Sequence, residues 1–365
     1  MKISIQRADL EKALSKVQNA VSHKMTLPIL ANFLLEAEND QLKLTATDLE
    51  LGLSAKAKAN VQEPGSITVP AKKFVDMVRE FPESEIHITN KKNQVISIEC
   101  EKSHFKLMGL APEEFPRFPK LDGKNTIVTE QSLVKTLLRI TSFAMSNDET
   151  RYVLNGVLLH IKGKIMQMVA TDGRRLACAR RTLQESSGFE KSVILPKKTV
   201  LELSKGLKDE GEMKIIIGDN QILFAFDDLV ALSRLVEGEF PNYEQVIPKE
   251  SKEKIKVNRD QFLFATKRAS LLTSQESQSV KMEFFRDKVI LSKSSPEWGE
   301  VREEVGIVNE GKDLAIGFNP HYLLDVLKQL PEEEVAIELT AADKPGIIRS
   351  SDQYTYVVLP MQITG

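Results

Sequence analysis

Cysteine is nearly absent from the chain: 2 in 365 residues, Cys100 and Cys178, with no CxxC spacing and no histidine beside either. That excludes a disulfide framework and a thiolate zinc module, and both thiols read as buried members of apolar, strand-like runs. Histidine is equally sparse. His23, His87, His104, His160 and His321 show neither HxxxH nor HxH spacing, so no metal site and no cofactor is expected. GxxxxGK[ST], GxGxxG and GxSxG are all missing, which removes the phosphate-loop, dinucleotide and hydrolase readings. Paired acids such as Asp48 and Glu50, or Glu303 and Glu304, are common on surfaces and assemble no active site, so a binding module is favoured over an enzyme. No apolar run approaches the roughly 18 residues that span a bilayer, and "MKISIQRADLEKAL" lacks the core of a secretory signal. A cytoplasmic protein without membrane contact is expected. Nor is there an excess of one charge: 50 Lys plus Arg stand against 52 Asp plus Glu, so a nucleic-acid role requires the charges to be segregated.

The chain does have internal repetition, and its length is too great for one core. "ISIQRADLEKALSKVQNAV" from Ile3, "IVTEQSLVKTLLRITSFAM" from Ile127 and "IKVNRDQFLFATKRASLLT" from Ile255 share one rhythm, an alternating strand followed by an amphipathic helix. The helical stripes are expected at Leu10, Leu14 and Val17, then Leu133, Leu137 and Ile140, then Phe262, Thr266 and Ala269. A second trio, "ITVPAKKFVDMVREFPESEIHI", "VILPKKTVLELSKGLKDEGEMKIII" and "AIGFNPHYLLDVLKQLPEEEVAIEL", repeats strand, helix and acidic turn. Thr47-Asp48 recurs as Thr171-Asp172. An α+β fold follows, with two helices and mostly antiparallel strands per unit, and domains 1–124, 125–249 and 250–365 bounded at "LDGKNT" and "IPKESKEK".

Basic residues gather on these helices: Lys12, Lys16, Lys72, Lys73, Arg79, Lys135, Arg139, Lys197, Lys198, Lys205, Lys267, Arg268 and Lys328. Acids concentrate in turns and strands. The bias suits either ordinary solvated helix faces or one surface that attracts a phosphate backbone without reading bases.

The segments "TLPILANFLLEA", "TATDLELGL", "RYVLNGVLL", "VATDGRRLA", "EFPNYEQVIP" and "YVVLPMQ", in this order from end to end, closely resemble the bacterial DNA polymerase III beta subunits, the sliding clamps. The resemblance implies three clamp domains and a head-to-tail homodimer whose ring encircles duplex DNA irrespective of sequence. It implies a non-catalytic processivity factor, nucleoid-associated, that serves the polymerase III alpha subunit, the clamp loader, other polymerases and repair proteins through short peptides. A repeat protein that uses the same pocket without encircling DNA is the rival. Carried over residue by residue, the peptide pocket is Leu154, Thr171, Gly173, Arg174, Arg175, Leu176, Pro241, Val246, Val357, Leu359, Pro360 and Met361. DNA contacts fall on Lys24, Arg79, Lys197 and Lys198, and the dimer contact on Lys73, Lys102 and Phe105 facing Leu271, Leu272, Glu297, Glu300, Glu303 and Glu304. Arg174 stands where many relatives have His and Gln245 where some have Arg; both alter the charge offered to a peptide. Asp172-Gly173 reads by its own chemistry as a hairpin turn, and Arg180 and Arg181 have no assigned role.

Overall fold

The computed structural model describes residues 1–22, 27–90, 94–119, 121–247, 254–350 and 353–363. Its first third runs β1 (Lys2–Gln6), α1 (Arg7–Val17), β2 (Asn32–Glu38), β3 (Gln41–Thr47), β4 (Leu51–Lys58), β5 (Asn60–Glu63), β6 (Gly65–Pro70), α2 (Ala71–Glu80), β7 (Glu85–Asn90), β8 (Val95–Cys100) and β9 (Ser103–Met108). The middle third runs β10 (Thr126–Glu130), α3 (Gln131–Thr141), β11 (Gly156–Lys162), β12 (Ile165–Thr171), β13 (Arg175–Thr182), β14 (Glu190–Pro196), α4 (Lys197–Gly206), β15 (Glu212–Ile217), β16 (Gln221–Phe226) and β17 (Leu229–Arg234). The last third runs β18 (Lys254–Asn258), α5 (Arg259–Ala269), β19 (Val280–Phe284), β20 (Lys288–Ser295), β21 (Gly299–Asn309), β22 (Leu314–Phe318), α6 (Pro320–Leu327), β23 (Glu334–Glu338), β24 (Gly346–Ser350) and β25 (Tyr354–Val358). The order strand, helix, four strands, helix, three strands therefore occurs three times, with β5 as the one addition.

Local chemistry accounts for the helices. In α2, Ala71, Phe74, Val75 and Val78 fall on one face and are buried, and the helix stops before Phe81-Pro82. The Asn258 side chain caps α5 by accepting from the Gln261 amide at 3.0 Å, and Asn319 caps α6 by accepting from the His321 amide at 3.0 Å. The expected stripe holds in the first and last helices, where Leu10, Leu14, Val17, Phe262, Thr266 and Ala269 are buried. In α3 it is displaced by one residue. Val134, Leu137, Leu138, Ile140 and Thr141 are buried while Leu133 is half-buried. α3 begins at Gln131 as α1 begins at Arg7, so Val134, not Leu133, is the equivalent of Leu10.

Each third folds its strands into two antiparallel half-sheets. The four strands between the helices take the orders β6-β2-β3-β4, β14-β11-β12-β13 and β22-β19-β20-β21, and the first strand joins the last three as β1-β7-β8-β9, β10-β15-β16-β17 and β18-β23-β24-β25. Half-sheets then fuse between consecutive thirds. β17 pairs antiparallel with β4, Leu232 opposite Gly52, and β25 pairs antiparallel with β13, Val357 opposite Leu176. By contact density the chain forms two units, Met1–Val134 with Leu201–Leu235, and Lys135–Val200 with Val236–Gly365, so the division passes through the middle third. Each unit has its own fused sheet. Large side chains fill the cores, Phe33, Phe74 and Phe224 in one unit and Tyr356, Phe262 and Phe284 in the other, each contributing about 2–3 kcal/mol by burial.

Candidate functional site

The hairpin β12–β13 is built around its turn. Asp172 Oδ1 accepts from the amides of Arg174 (2.9 Å) and Arg175 (3.0 Å), while Thr171 Oγ1 accepts from the Gly173 amide (3.0 Å) and donates to the Arg175 carbonyl (2.6 Å). Gly173 adopts φ +86°, a conformation that glycine reaches without a Cβ penalty. The first third repeats the device. Thr47 Oγ1 accepts from the Leu49 amide, Asp48 Oδ1 accepts from the amides of Glu50 and Leu51, and Leu49 has φ +76° where the middle third has glycine. Thr-Asp is thus a turn-forming pair in both copies, consistent with the hairpin reading.

Arg175 locks this turn to two other elements. Its Nε donates to Asp172 Oδ2 (3.0 Å), Nη1 to Asp325 Oδ2 on α6 (2.6 Å) and Nη2 to the Phe143 carbonyl (2.7 Å). The guanidinium lies 4.5 Å from the Tyr322 ring centre and 5.7 Å from that of Phe143. Burial opposes its charge, but the Asp325 hydrogen bond and the neighbouring carboxylates outweigh that and raise its pKa further. The Tyr356 hydroxyl donates to the Tyr322 carbonyl (2.8 Å), closing the cluster. Arg175 was expected in the pocket wall; its guanidinium is occupied within the fold, whereas Arg174 is exposed.

Beside the turn lies an apolar cluster. Leu158, Val169, Leu176, Ile194 and Val357 are buried together, with Val153, Cys178, Val236, Phe240, Tyr243 and Ile247 packed against them and partly exposed. Of the expected pocket residues, Leu176 and Val357 are its floor; Leu154 adjoins Val153, and Pro241 and Val246 are exposed on the segment that carries Phe240, Tyr243 and Ile247. Leu359 is tied to the turn by its amide, which donates to the Arg174 carbonyl (2.9 Å), and the Met361 amide donates to the Gly317 carbonyl (2.8 Å), leaving Pro360 between two anchors. Phe240, Tyr243 and Arg151 were missed by sequence reasoning. Tyr243 accepts from Gln167 Nε2 (2.6 Å), and Arg151 Nη1 stands 3.3 Å from where a Cβ on Gly173 would be.

Burial pushes the Cys178 thiol up to about 12 and raises that of Cys100 as well. The neutral thiol is favoured in the folded state, so this contribution to stability is complete below the unfolded thiol's range and is lost as pH rises toward the folded value. Iodoacetamide at pH 8 is expected to leave both cysteines unmodified for hours in the native chain and to label both within minutes in denaturant, as counted by mass spectrometry.

The remaining expected residues are distributed over both units. Arg79 is exposed on α2 and donates to Gln18 Oε1 (3.1 Å); Lys197 opens α4 and donates to Asn147 Oδ1 (2.6 Å), with Lys198 half-buried beside it. Lys24, like His23, lies outside the described residues. Lys73 is exposed on α2, Lys102 lies in the β8–β9 turn, and Phe105 on β9 packs its ring edge on Phe81 at 5.6 Å. Leu271 and Leu272 form a helical turn after α5, Leu271 being 75% exposed. Glu297 is in the β20–β21 hairpin and Glu300, Glu303 and Glu304 are on β21. Glu303 is held by Arg268 through two bonds of 2.8 and 2.6 Å, and Glu304 by Lys288 at 3.2 Å. Among the described residues there is no cluster of His, Cys, Asp and Glu that could hold a metal, and no helix is long and apolar enough to cross a membrane.

The domain families of the DNA polymerase III beta subunit match nearly all of the chain in order, the N-terminal domain over residues 1–119, the central domain over 128–242 and the C-terminal domain over 244–362. The beta sliding clamp of Chlamydia pneumoniae is 33% identical over 100% of this chain and 99% of its own length. The crystal structure of the Bacillus subtilis DNA polymerase sliding clamp superposes with a TM-score of 0.95 at 32% identity, and that of the Pseudomonas aeruginosa clamp bound to griselimycin with 0.94 at 35%, each covering both chains completely. With this fold thrice repeated and matched along its length, the chain belongs to the DNA polymerase III beta subunit family, the beta sliding clamps, which are processivity factors rather than catalytic subunits.

Proposed function

We propose that two copies of the chain close head to tail around duplex DNA and hold a polymerase to it. One observation carries this reading: the rule by which the thirds are joined. The last strand of one third pairs with the outer strand of the preceding third's four-stranded half-sheet, β17 with β4 and β25 with β13. Under the same rule β9 and the Gly299–Gly306 stretch of β21 are left, and neither has a strand on its outer edge among the described residues. Two bare edges, one in the first third and one in the last, would satisfy each other between two copies, a heterologous contact that closes when the rotation completes a turn. Chemistry agrees across the joint. Lys73, Lys102 and Phe105 would face Leu271, Leu272, Glu297 and Glu300, an apolar centre with opposite charges around it.

On this reading the clamp domains are 1–124, 125–249 and 250–365. Lys24, Arg79, Lys197 and Lys198 touch phosphates without selecting sequence. The Leu176–Val357 floor, the 171–176 turn and the 359–361 segment receive apolar anchors of peptides from the polymerase III alpha subunit, the clamp loader, other polymerases and repair proteins. The work is done in the cytoplasm, on the nucleoid. Processivity arises from effective concentration, since a tethered polymerase that lets go of its primer rebinds before it diffuses away.

Loader-dependent retention on a nicked circular plasmid tests the proposal. Retention in high salt, with release when the plasmid is linearised, is the expected result; retention that survives linearisation, or none on the circle, would make the chain a repeat protein that binds peptides without enclosing DNA. Alanine at Arg79, Lys197 and Lys198 together is expected to reduce loading while leaving the melting temperature unchanged.

A further inference from the structure

The fused sheet between the first and middle thirds has the same build as the one between the middle and last. Gly52 sits where Leu176 sits: Gly52 pairs with Thr47 and Leu232, and Leu176 pairs with Thr171 and Val357. Both junctions are followed by the same linker pattern, Phe115-Pro116-Arg117-Phe118 and Phe240-Pro241-Asn242-Tyr243. What differs is where the second aromatic lies. Tyr243 packs against the Leu158–Val357 cluster with its hydroxyl accepting from the Gln167 side-chain amide, so its tip is tied to β12 four residues before Thr171. Phe118 lies against Gly52 itself, so closely that a Cβ on Gly52 would overlap the ring.

Two features hold the Phe118 ring there. The residues equivalent to Gln167 and Cys178 are Lys43 and Ser54, which with Lys56 line a cleft of about 420 Å³ that offers an aromatic ring a charged wall. The stretch to the next third is also shorter, from Phe118 to Ile127 against Tyr243 to Ile255, which keeps the ring near the turn.

We infer that the first junction is a second peptide cleft of the same design, closed by the chain's own Phe118, which occupies the place that an incoming apolar anchor takes over Leu176. The inference rests on reading the Leu176–Val357 site as the peptide pocket. It explains in physical terms why a chain with two equivalent junctions would offer one pocket. An intramolecular ligand is present at a local concentration that a free peptide cannot match, and the glycine floor is shaped for it.

Griselimycin, found on the Pseudomonas aeruginosa relative, is the probe, with stoichiometry read by titration calorimetry on the full-length protein. The unaltered chain is expected to bind one equivalent even at saturating ligand, and Phe118→Ala two, the second more weakly. Gly52→Ala, which expels the ring instead of deleting it, is expected to do the same. In a Val357→Asp background, Phe118→Ala should retain a single equivalent while the parent retains none. A second equivalent on the unaltered chain, or only one on either substituted chain when it melts cooperatively, overturns the inference. No binding to the unaltered chain would instead strike the reading of the Leu176–Val357 pocket.

Discussion

Arg175→Met loses about 3 kcal/mol of folding stability in urea titrations at neutral pH, the scale for removing one partner from a buried ion pair. The guanidinium makes three hydrogen bonds to three separate segments, and methionine fills its volume while removing the donor to Asp172 Oδ2, Asp325 Oδ2 and the Phe143 carbonyl. Asp325→Asn should lose less, because that carboxylate is more exposed than Asp172. The two substitutions are not additive: a double-mutant cycle is expected to return a coupling of about 1–2 kcal/mol. Arg175→Lys does not rescue, since one ammonium cannot span Asp172, Asp325 and a backbone carbonyl while stacking between two rings. Griselimycin affinity should fall with stability in the Met variant, because Arg175 and Asp172 together set the turn carrying Gly173 and Arg174. A Met variant that is as stable as the parent would show that the turn is held by Thr171 and Asp172 alone.

The joint between copies gives the second large effect. Leu271→Ala with Leu272→Ala is expected to weaken dimerisation by about 10²–10³-fold, taking roughly 1.5–2 kcal/mol for each apolar side chain withdrawn from an interface centre. Sedimentation at micromolar concentration should then find monomer. The melting temperature of the dissociated chain should fall only a little, because Leu271 is 75% exposed and Leu272 only half-buried in the single chain. For the charged rim, Glu300→Lys is the informative reversal. Reversing Glu303 or Glu304 would also break the bonds to Arg268 and Lys288 within the chain. The Arg268 hydrogen bond lowers the Glu303 pKa, so its stabilising effect is present above the ordinary carboxylate range and lost as pH falls through the depressed folded value. Dimer assays at neutral pH are clear of that window. Dimer mass unchanged by the leucine substitutions would place the interface elsewhere.

The threefold plan was legible in the sequence because each third buries its helices by the same spacing and stops them at similar signals, and backbone order follows from such local patterns. Register was less secure. Leu133, Val134, Leu137 and Leu138 form an apolar band so broad that either of two phases fits, and only the start of α3 at Gln131 decides between them. The Thr-Asp turn could be read because its bonds are local. The partners of Arg175 could not. Asp325 and Tyr322 on α6 are remote in sequence and meet the turn only once β25 pairs with β13. The Phe118 ring was overlooked for a related reason, since a Phe-Pro linker announces a connection and gives no hint of which groove its ring will enter.

The pairing of β13 with β25 also dictates an order of events during synthesis. The ribosome releases the middle half-sheet β14-β11-β12-β13 long before residues 354–358 emerge, so the outer edge of β13 that β25 covers, Arg175 to Ala179, stays bare through most of the last third's translation. A bare, apolar strand edge invites pairing with a neighbouring nascent chain. Arg180 and Arg181 follow directly on that edge, where the completed fold gives the Arg180 amide to the Gln353 carbonyl and the Arg181 guanidinium to the Gln353 side chain. Two positive charges at the end of an edge that waits so long would repel the same edge of a neighbouring nascent chain, a consequence of their position that the bonds to Gln353 in the completed fold do not reveal.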